Sequence, residues 1–175
     1  MSQSPRNMAF SPISNRQASV LILGSMPSVA SLGKRQYYAH PRNAFWPIMA
    51  SLFGDDEGNG YQERCRMLRR KGIAVWDVLA SCRRPGSLDA AIDDSSIIVN
   101  DFNKYFARHE KISWVFFNGG KSEQLYRKHV LPGLNEAWQH ITYTRLPSTS
   151  PAMAALNLNE KIDRWRVVGK TLKQL

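Results

Sequence analysis

Sulfur-based scaffolding is almost absent from this chain, which has two cysteines, Cys65 and Cys82, among 175 residues. They stand in unrelated contexts, with no Cys-x-x-Cys pair and no zinc-type His/Cys spacing. A four-cysteine iron–sulfur cluster is thereby excluded, and neither metal nor other cofactor is expected. Also missing is any apolar run near the roughly 18 residues that cross a bilayer, which argues against a membrane partner. The segment Met1 to Gln17 lacks the apolar block of a secretory signal, so reduced thiols and a cytoplasmic location are expected. Polar and interrupted by Pro5 and Pro12, it reads as a loosely ordered leader (residues 1–17) ahead of a single domain (residues 18–175). Acidic residues are in short supply: 14 Asp and Glu face 24 Lys and Arg, a formal net charge of +10. That balance makes a polyanionic partner plausible without specifying one.

The basic residues fall in separate clusters: Arg64, Arg66, Arg69, Arg70 and Lys71 in one segment, Arg83 and Arg84 in another, and Lys161, Arg164, Arg166, Lys170 and Lys173 near the C-terminus. Between them, Ser19 to Gly24 is a continuous apolar run with the character of a strand buried on both faces of a parallel sheet, Gly72 to Leu79 reads as another buried strand and Ile112 to Asn118 as a third, while Ile141 to Leu146 alternates or runs into a fourth. Helices are expected at about Pro47 to Phe53, where Pro47 is tolerated because the first turn needs no donor, and at about Tyr61 to Lys71. Gly54 to Gly60 reads as an acidic, turn-rich hinge between these two. Two more helices are expected, from about Ser122 to Val130 and at the C-terminus, where Leu158, Ile162, Trp165 and Leu172 recur at helical spacing. Alternating strands and helices predict a three-layer α/β/α sandwich around a central, mostly parallel four-stranded sheet. No internal repeat is present.

The strands share a polar exit. Ser25-Met-Pro-Ser28, Asp77 with the loop Ser81 to Gly86, Asn118-Gly-Gly, and Pro147-Ser-Thr-Ser-Pro151 all emerge from strand C-termini, where open α/β sheets place their ligand crevice. Turn and cap roles would account for Asn118 and Asp77 equally well. The stretch Tyr37 to Pro47, Tyr-Tyr-Ala-His-Pro-Arg-Asn-Ala-Phe-Trp-Pro, combines aromatics for stacking, an amide and an imidazole for hydrogen bonding, and an arginine for a phosphate. These are the groups a base-sized ligand needs, although Tyr38, Phe45 and Trp46 as core and Arg42 as solvated surface would explain the same residues.

Taken together, Leu23-Gly-Ser-Met-Pro-Ser28, Tyr38-Ala-His-Pro-Arg-Asn-Ala-Phe-Trp-Pro47, the segment Gly72 to Asp89 and Leu146-Pro-Ser-Thr-Ser-Pro-Ala152 resemble the uracil-DNA glycosylase superfamily, most closely its hypoxanthine-DNA glycosylase branch. The resemblance spans about Val20 to Ala152. It implies a monofunctional enzyme that flips a deaminated base out of double-stranded DNA and hydrolyses its N-glycosidic bond, hypoxanthine being the first candidate. Uracil or thymine in mismatches, and a catalytically silent nucleic-acid-binding homologue, are the alternatives; a nucleoside hydrolase is open on fold alone. Many superfamily members carry Asn or Asp where this chain has Met26, and in the hypoxanthine branch the catalytic amide maps instead to Asn43.

The resemblance thus implies Asn43 as the group that orients water, with His40 a second catalytic candidate. Ser25 and Met26 would offer backbone amides to the base, Tyr38 or Phe45 would stack on it, and Asp77 and Asn118 would read its edges. Arg42, Arg83, Arg84 and Arg145, together with Ser148, Thr149 and Ser150, would contact phosphates, with Ala152-Met153 as an apolar wedge. Schiff-base lyase chemistry is not expected, Lys34 being the only lysine in the first loops. A monomer is expected.

Overall fold

The computed structural model describes residues 4–54 and 60–175, so the expected hinge between Gly54 and Gly60 lies largely outside the described residues. Four strands, β2 (Val20–Gly24), β3 (Ile73–Asp77), β6 (Trp114–Asn118) and β7 (Thr142–Leu146), form a wholly parallel sheet in the order β3-β2-β6-β7. Residue alternation divides its two faces. Leu21, Leu23, Ala74, Trp76, Val115 and Phe117 point into one core, packed by α4 (Phe102–Arg108) and α5 (Gly120–His129). On the other face, Val20, Ile22, Ile73, Val75 and Phe116 meet α2 (Phe45–Phe53), α3 (Tyr61–Arg70) and α6 (Leu158–Leu172). This is the expected three-layer sandwich, and each wholly buried aliphatic or aromatic side chain stabilises it by roughly 1.5–3 kcal/mol.

The strand order places β2 in the interior, with the chain crossing to β3 on one side and to β6 on the other. Loops leaving β2 and β6 therefore diverge at their C-terminal ends, and an open parallel sheet has its crevice there. Local chemistry sets the helix ends around it. Ser28 caps α1 (Val29–Lys34), a short helix where only a polar loop was expected, by accepting from the Ser31 amide at 3.2 Å. Asn157 and Glu160 form a reciprocal capping box at the start of α6.

Three expectations need correction. The run Gly72 to Leu79 is not one strand: after Asp77 the chain leaves the main sheet at Val78, whose amide bonds to Gly24 O, and continues as β4 (Leu79–Arg83). β4 is the middle of a second, antiparallel sheet with β1 (Arg6–Met8) and β5 (Ile98–Val99), so the expected Ser81 to Gly86 loop begins as strand. The leader is consequently not loose over the described residues. Arg6 donates to Ser81 Oγ at 2.9 Å and Ser96 O at 2.8 Å, Asn7 to Arg84 O at 3.0 Å, and buried Ile13 bridges to Val75. That bridge covers the outer edge of β3, an edge that would otherwise expose unpaired backbone groups. On α6 the inward stripe is Lys161, Trp165, Val168 and Thr171, whereas Leu158 is exposed.

Trp165 joins the core to the site, because its ring is wholly buried against Phe45 while its Nε1–H donates to Pro147 O at 2.9 Å. Trp165→Phe keeps an aromatic ring but strands that carbonyl. It is expected to lower the unfolding free energy by about 1–3 kcal/mol, read as a lower urea midpoint with unchanged m-value.

Candidate functional site

At the C-terminal ends of β2, β3 and β6 the loops enclose a cavity of about 100 Å³. Its floor is the turn Gly24 to Ser28. Arg84 holds this turn from behind: its guanidinium donates to Gly86 O at 3.0 Å, Met26 O at 3.5 Å and Pro27 O, and pairs with Asp89 at 3.7 Å. Only 3% exposed, Arg84 cannot be the phosphate contact that its cluster suggested; it is a brace for the turn. Ser25 Oγ donates to Asp89 Oδ1 at 2.8 Å, and Met26 is buried in the wall.

Asp77 ends β3 and lines the cavity next to Gly24. A Cβ at Gly24 would lie 2.6 Å from Asp77 Oδ1 and 3.2 Å from Tyr38 Oη, so only glycine lets these two groups crowd the strand end. Asp77 Oδ2 and Tyr38 Oη are both buried without a hydrogen-bond partner among the described residues. Burial pushes the Asp77 carboxyl up to about 7; the Asp89 charge adds to the rise, and Arg84 opposes it. Burial likewise raises the phenol of Tyr38, the Asp77 charge adding to it; Asn118 tempers the rise but does not reach hydrogen-bonding geometry.

The loop from Tyr37 to Pro47 forms the opposite wall. Tyr38 takes a left-handed backbone, φ 55°, which an L side chain adopts rarely, and its ring stacks on Phe45 at 4.1 Å between centroids. Phe45 is wholly buried behind Tyr38 and does not line the cavity, so of the two stacking candidates Tyr38 is the ring within reach. Asn43 stands where the cavity meets a neighbouring groove of about 450 Å³ and borders both. Its Oδ1 accepts the Phe45 amide at 3.0 Å, fixing the side-chain carbonyl and initiating α2 in one contact. His40 borders the groove and not the cavity, and its Nδ1 accepts from the Arg42 amide at 3.1 Å.

The third wall is the Pro147 to Pro151 loop. Asn118 and Thr149 hold each other reciprocally, Nδ2 to Oγ1 and amide to Oδ1, both at 2.9 Å. Much of the Asn118 amide is therefore committed to the loop, which weakens the expectation that it reads a base edge. Thr149 is only 1% exposed, and its carbonyl accepts the Ala44 amide at 2.9 Å, so it too is a tie between loops more than a phosphate contact. Ser148 and Ser150 line the cavity mouth. Gly119, at φ 96°, allows the close approach of Ser148, whose Cβ would stand 2.9 Å from any added Cβ.

The remaining cations scatter. Arg42 is exposed, with no side-chain hydrogen bond or ion pair among the described residues. Arg145, 63% exposed, pairs with Glu123 at 3.5 Å, while Arg83 lines a different hollow with Ser4 and Asp93. Sequence reasoning assigned no role to Asp89, Ser87 or Ser31, which line the cavity, and placed Lys161 only in the C-terminal basic cluster. Lys161 is in fact buried, with Nζ 3.4 Å from Ser150 O and its ammonium pKa lowered by desolvation. Asp89 lay in plain view within the Gly72 to Asp89 segment, but nothing local distinguishes it from a turn residue. Among the described residues no cluster suited to a metal ion occurs, and no helix is long and apolar enough to cross a membrane.

The family model for the Uracil DNA glycosylase superfamily matches residues 11–169. A hypoxanthine DNA glycosylase of Methanosarcina barkeri is 37% identical over 118 residues, 67% of this chain and 73% of that protein. One of Methanosarcina acetivorans is 31% identical over 145 residues, 78% of this chain and 90% of that protein. The solution NMR structure of a candidate uracil DNA glycosylase from Methanosarcina acetivorans superposes with a TM-score of 0.79 at 29% identity, covering 97% of this chain and 99% of that one.

The Asp77 proton has a thermodynamic signature. The folded protein holds it up to about pH 7, whereas the carboxyl's ordinary value is 3.8, so stability falls as pH climbs through that window. Asp77→Asn removes the titration. Relative to wild type it is expected to gain roughly 2–4 kcal/mol between about pH 4 and about pH 8, measured by urea unfolding at both.

Proposed function

The chain belongs to the uracil DNA glycosylase superfamily, and from that premise we propose that this DNA glycosylase excises hypoxanthine from deoxyinosine in double-stranded DNA, leaving an abasic site. The observation that carries this reading is the position of Asn43. A fixed amide carbonyl borders the cavity, while the turn after β2 offers Met26, which can neither orient nor activate water.

A duplex substrate must extrude its nucleotide, at a cost of a few kcal/mol that is smaller for a mispaired deaminated base. The cavity then takes the base between Tyr38, the Gly24 to Ser28 turn and Asp77. As the glycosidic bond lengthens, positive charge grows on the sugar and negative charge on the base. Asn43 cannot serve as a strong base, so it acts by holding a water near the anomeric carbon with the lone pair that Phe45 leaves open. Met26 makes the enzyme dependent on that one amide.

Arg42, beside Asn43 and without a side-chain partner among the described residues, and the hydroxyls of Ser148 and Ser150 are the proposed phosphate contacts. Exposed Ala152 and half-buried Met153 come after them in the chain as the wedge into the duplex. The protein acts as a monomer in this reading. The names of the two Methanosarcina relatives support hypoxanthine as the base.

Labelled duplexes containing deoxyinosine, deoxyuridine, deoxyxanthosine or a G·T pair, each treated with protein and then alkali, test the base preference. Deoxyinosine should be cleaved fastest; equal or faster cleavage of deoxyuridine would reassign the substrate. Asn43→Ala should lower single-turnover cleavage at least about tenfold with duplex affinity retained, and an unchanged rate would remove Asn43 from the mechanism.

A further inference from the structure

The cavity contains two buried polar atoms that none of the described residues satisfies, Asp77 Oδ2 and Tyr38 Oη, on two side chains that crowd Gly24 at the end of β2. Buried oxygens without partners cost free energy; Tyr105 Oη, His129 Nε2 and Trp138 Nε1 are also unpartnered among the described residues, but only Asp77 and Tyr38 line the cavity, where a bound base can satisfy them. We propose that Asp77 is the proton donor to the departing purine, delivering its carboxylic hydrogen to a ring nitrogen of the base while the Tyr38 hydroxyl bonds the same base. The inference rests on the hypoxanthine reading above and gives that site its leaving-group chemistry.

The surroundings favour the acid form over the carboxylate. Of the charged and titratable groups facing Asp77, Asp89 lines the same cavity and repels a second negative charge, while Tyr37 and Tyr38, on the loop before α2, offer only neutral phenols. Arg84 is the one cation near it among the described residues, but its guanidinium is occupied by the carbonyls of Met26, Pro27 and Gly86, and its ion pair is with Asp89. Ser25 spends its hydroxyl on Asp89 too. Asp77 thus sits in a buried wall, with no ion pair among the described residues; its burial, and then the like charge of Asp89 on the same cavity, hold a proton on it near neutral pH.

The step balances. The bond between C1′ and N9 breaks with its electron pair passing to the purine, and the Asp77 proton moves to a ring nitrogen, so hypoxanthine departs neutral. Water held by Asn43 adds to C1′ and releases one proton, which restores the Asp77 acid through solvent. One water is consumed, and one free base and one abasic deoxyribose are formed. A pyrimidine leaving as a stabilised anion would need this donor less.

The test is the single-turnover rate on a deoxyinosine duplex from about pH 5.5 to about pH 8.5, for wild type, Asp77→Asn and Asp89→Asn. The wild-type rate should be level at low pH and fall by up to about tenfold per pH unit above the Asp77 transition. Asp77→Asn should be slower by at least about a hundredfold near pH 6 and flat with pH, while binding an abasic-analogue duplex as tightly as wild type. Asp89→Asn removes the repelling charge, so its profile should fall at lower pH than that of wild type; this arm stands even if Asp77→Asn fails to fold. A wild-type rate that rises through neutrality would mean that Asp77 works as a carboxylate accepting from the base, and would overturn the proposal. So would an Asp77→Asn profile matching wild type, or an Asp89→Asn profile that does not move. Absence of cleavage at every pH overturns the substrate reading and the donor with it, whereas cleavage with a rising profile overturns the donor alone.

Discussion

The reciprocal pair between Asn118 and Thr149 is the contact on which the site depends, because it closes a ring of loops that the sheet alone leaves open. Parallel strands deliver their loops to one edge without fixing the distances among them. Two hydrogen bonds, each 2.9 Å, tie the end of β6 to the loop after β7, and the carbonyl of Thr149 takes the amide of Ala44, drawing in the segment that carries Asn43. Trp165 and Lys161 hold the same loop from α6 through the carbonyls of Pro147 and Ser150. Each contact alone contributes only about 1 kcal/mol, but buried polar networks polarise one another and specify one arrangement. The catalysis by positioning proposed for Asn43 requires that arrangement, since a displacement of about 1 Å in a water-orienting group can cost about a hundredfold in rate.

Asp77 pulls the other way energetically. Its carboxyl is buried, one oxygen lacks a partner among the described residues, and the nearest guanidinium is engaged elsewhere. A protein selected only for stability would place an amide or an apolar residue here, because an unpaired buried carboxyl is among the costlier groups a core can hold. The tightly anchored neighbouring loops offset that cost. Stability is thus concentrated in the frame around the cavity, while the cavity wall keeps polar groups that the described residues leave unsatisfied.

Much of this was legible in the residues. Three apolar runs and one alternating segment, each with a polar end, pointed to the parallel sheet, and the convergence of Ser25, Asp77, Asn118 and Ser148 at one edge came from strand direction alone. What could not be read were facts about partners distant in sequence. Arg84 and Arg83 are adjacent and identical in type, yet one braces a turn 57 residues away and the other sits at the surface of a second sheet. β1 is three residues, Arg-Asn-Met, whose strand character is imposed by β4, and Lys161 is buried with its ammonium against a loop carbonyl. Tertiary context overrode local pattern in each case.

Asn43 shows how one residue satisfies two demands that at first look exclusive. As a helix initiator it accepts the Phe45 amide; in the water-orienting role proposed for it, it must also present an acceptor to the cavity. A carbonyl oxygen has two lone pairs, so the first contact does not consume the second. It improves it: an amide anchored by a backbone N–H cannot rotate away, and its orientation is fixed before substrate arrives. The same anchoring limits the residue's chemistry. An amide does not titrate in the neutral range, so acid–base control of the reaction has to reside elsewhere in the wall. Among the groups bordering the cavity, Asp77 is the one whose ordinary acidity burial has shifted to neutrality. The proposed mechanism divides its work accordingly, with orientation assigned to the residue that cannot ionise and proton control to the one that is costly to ionise.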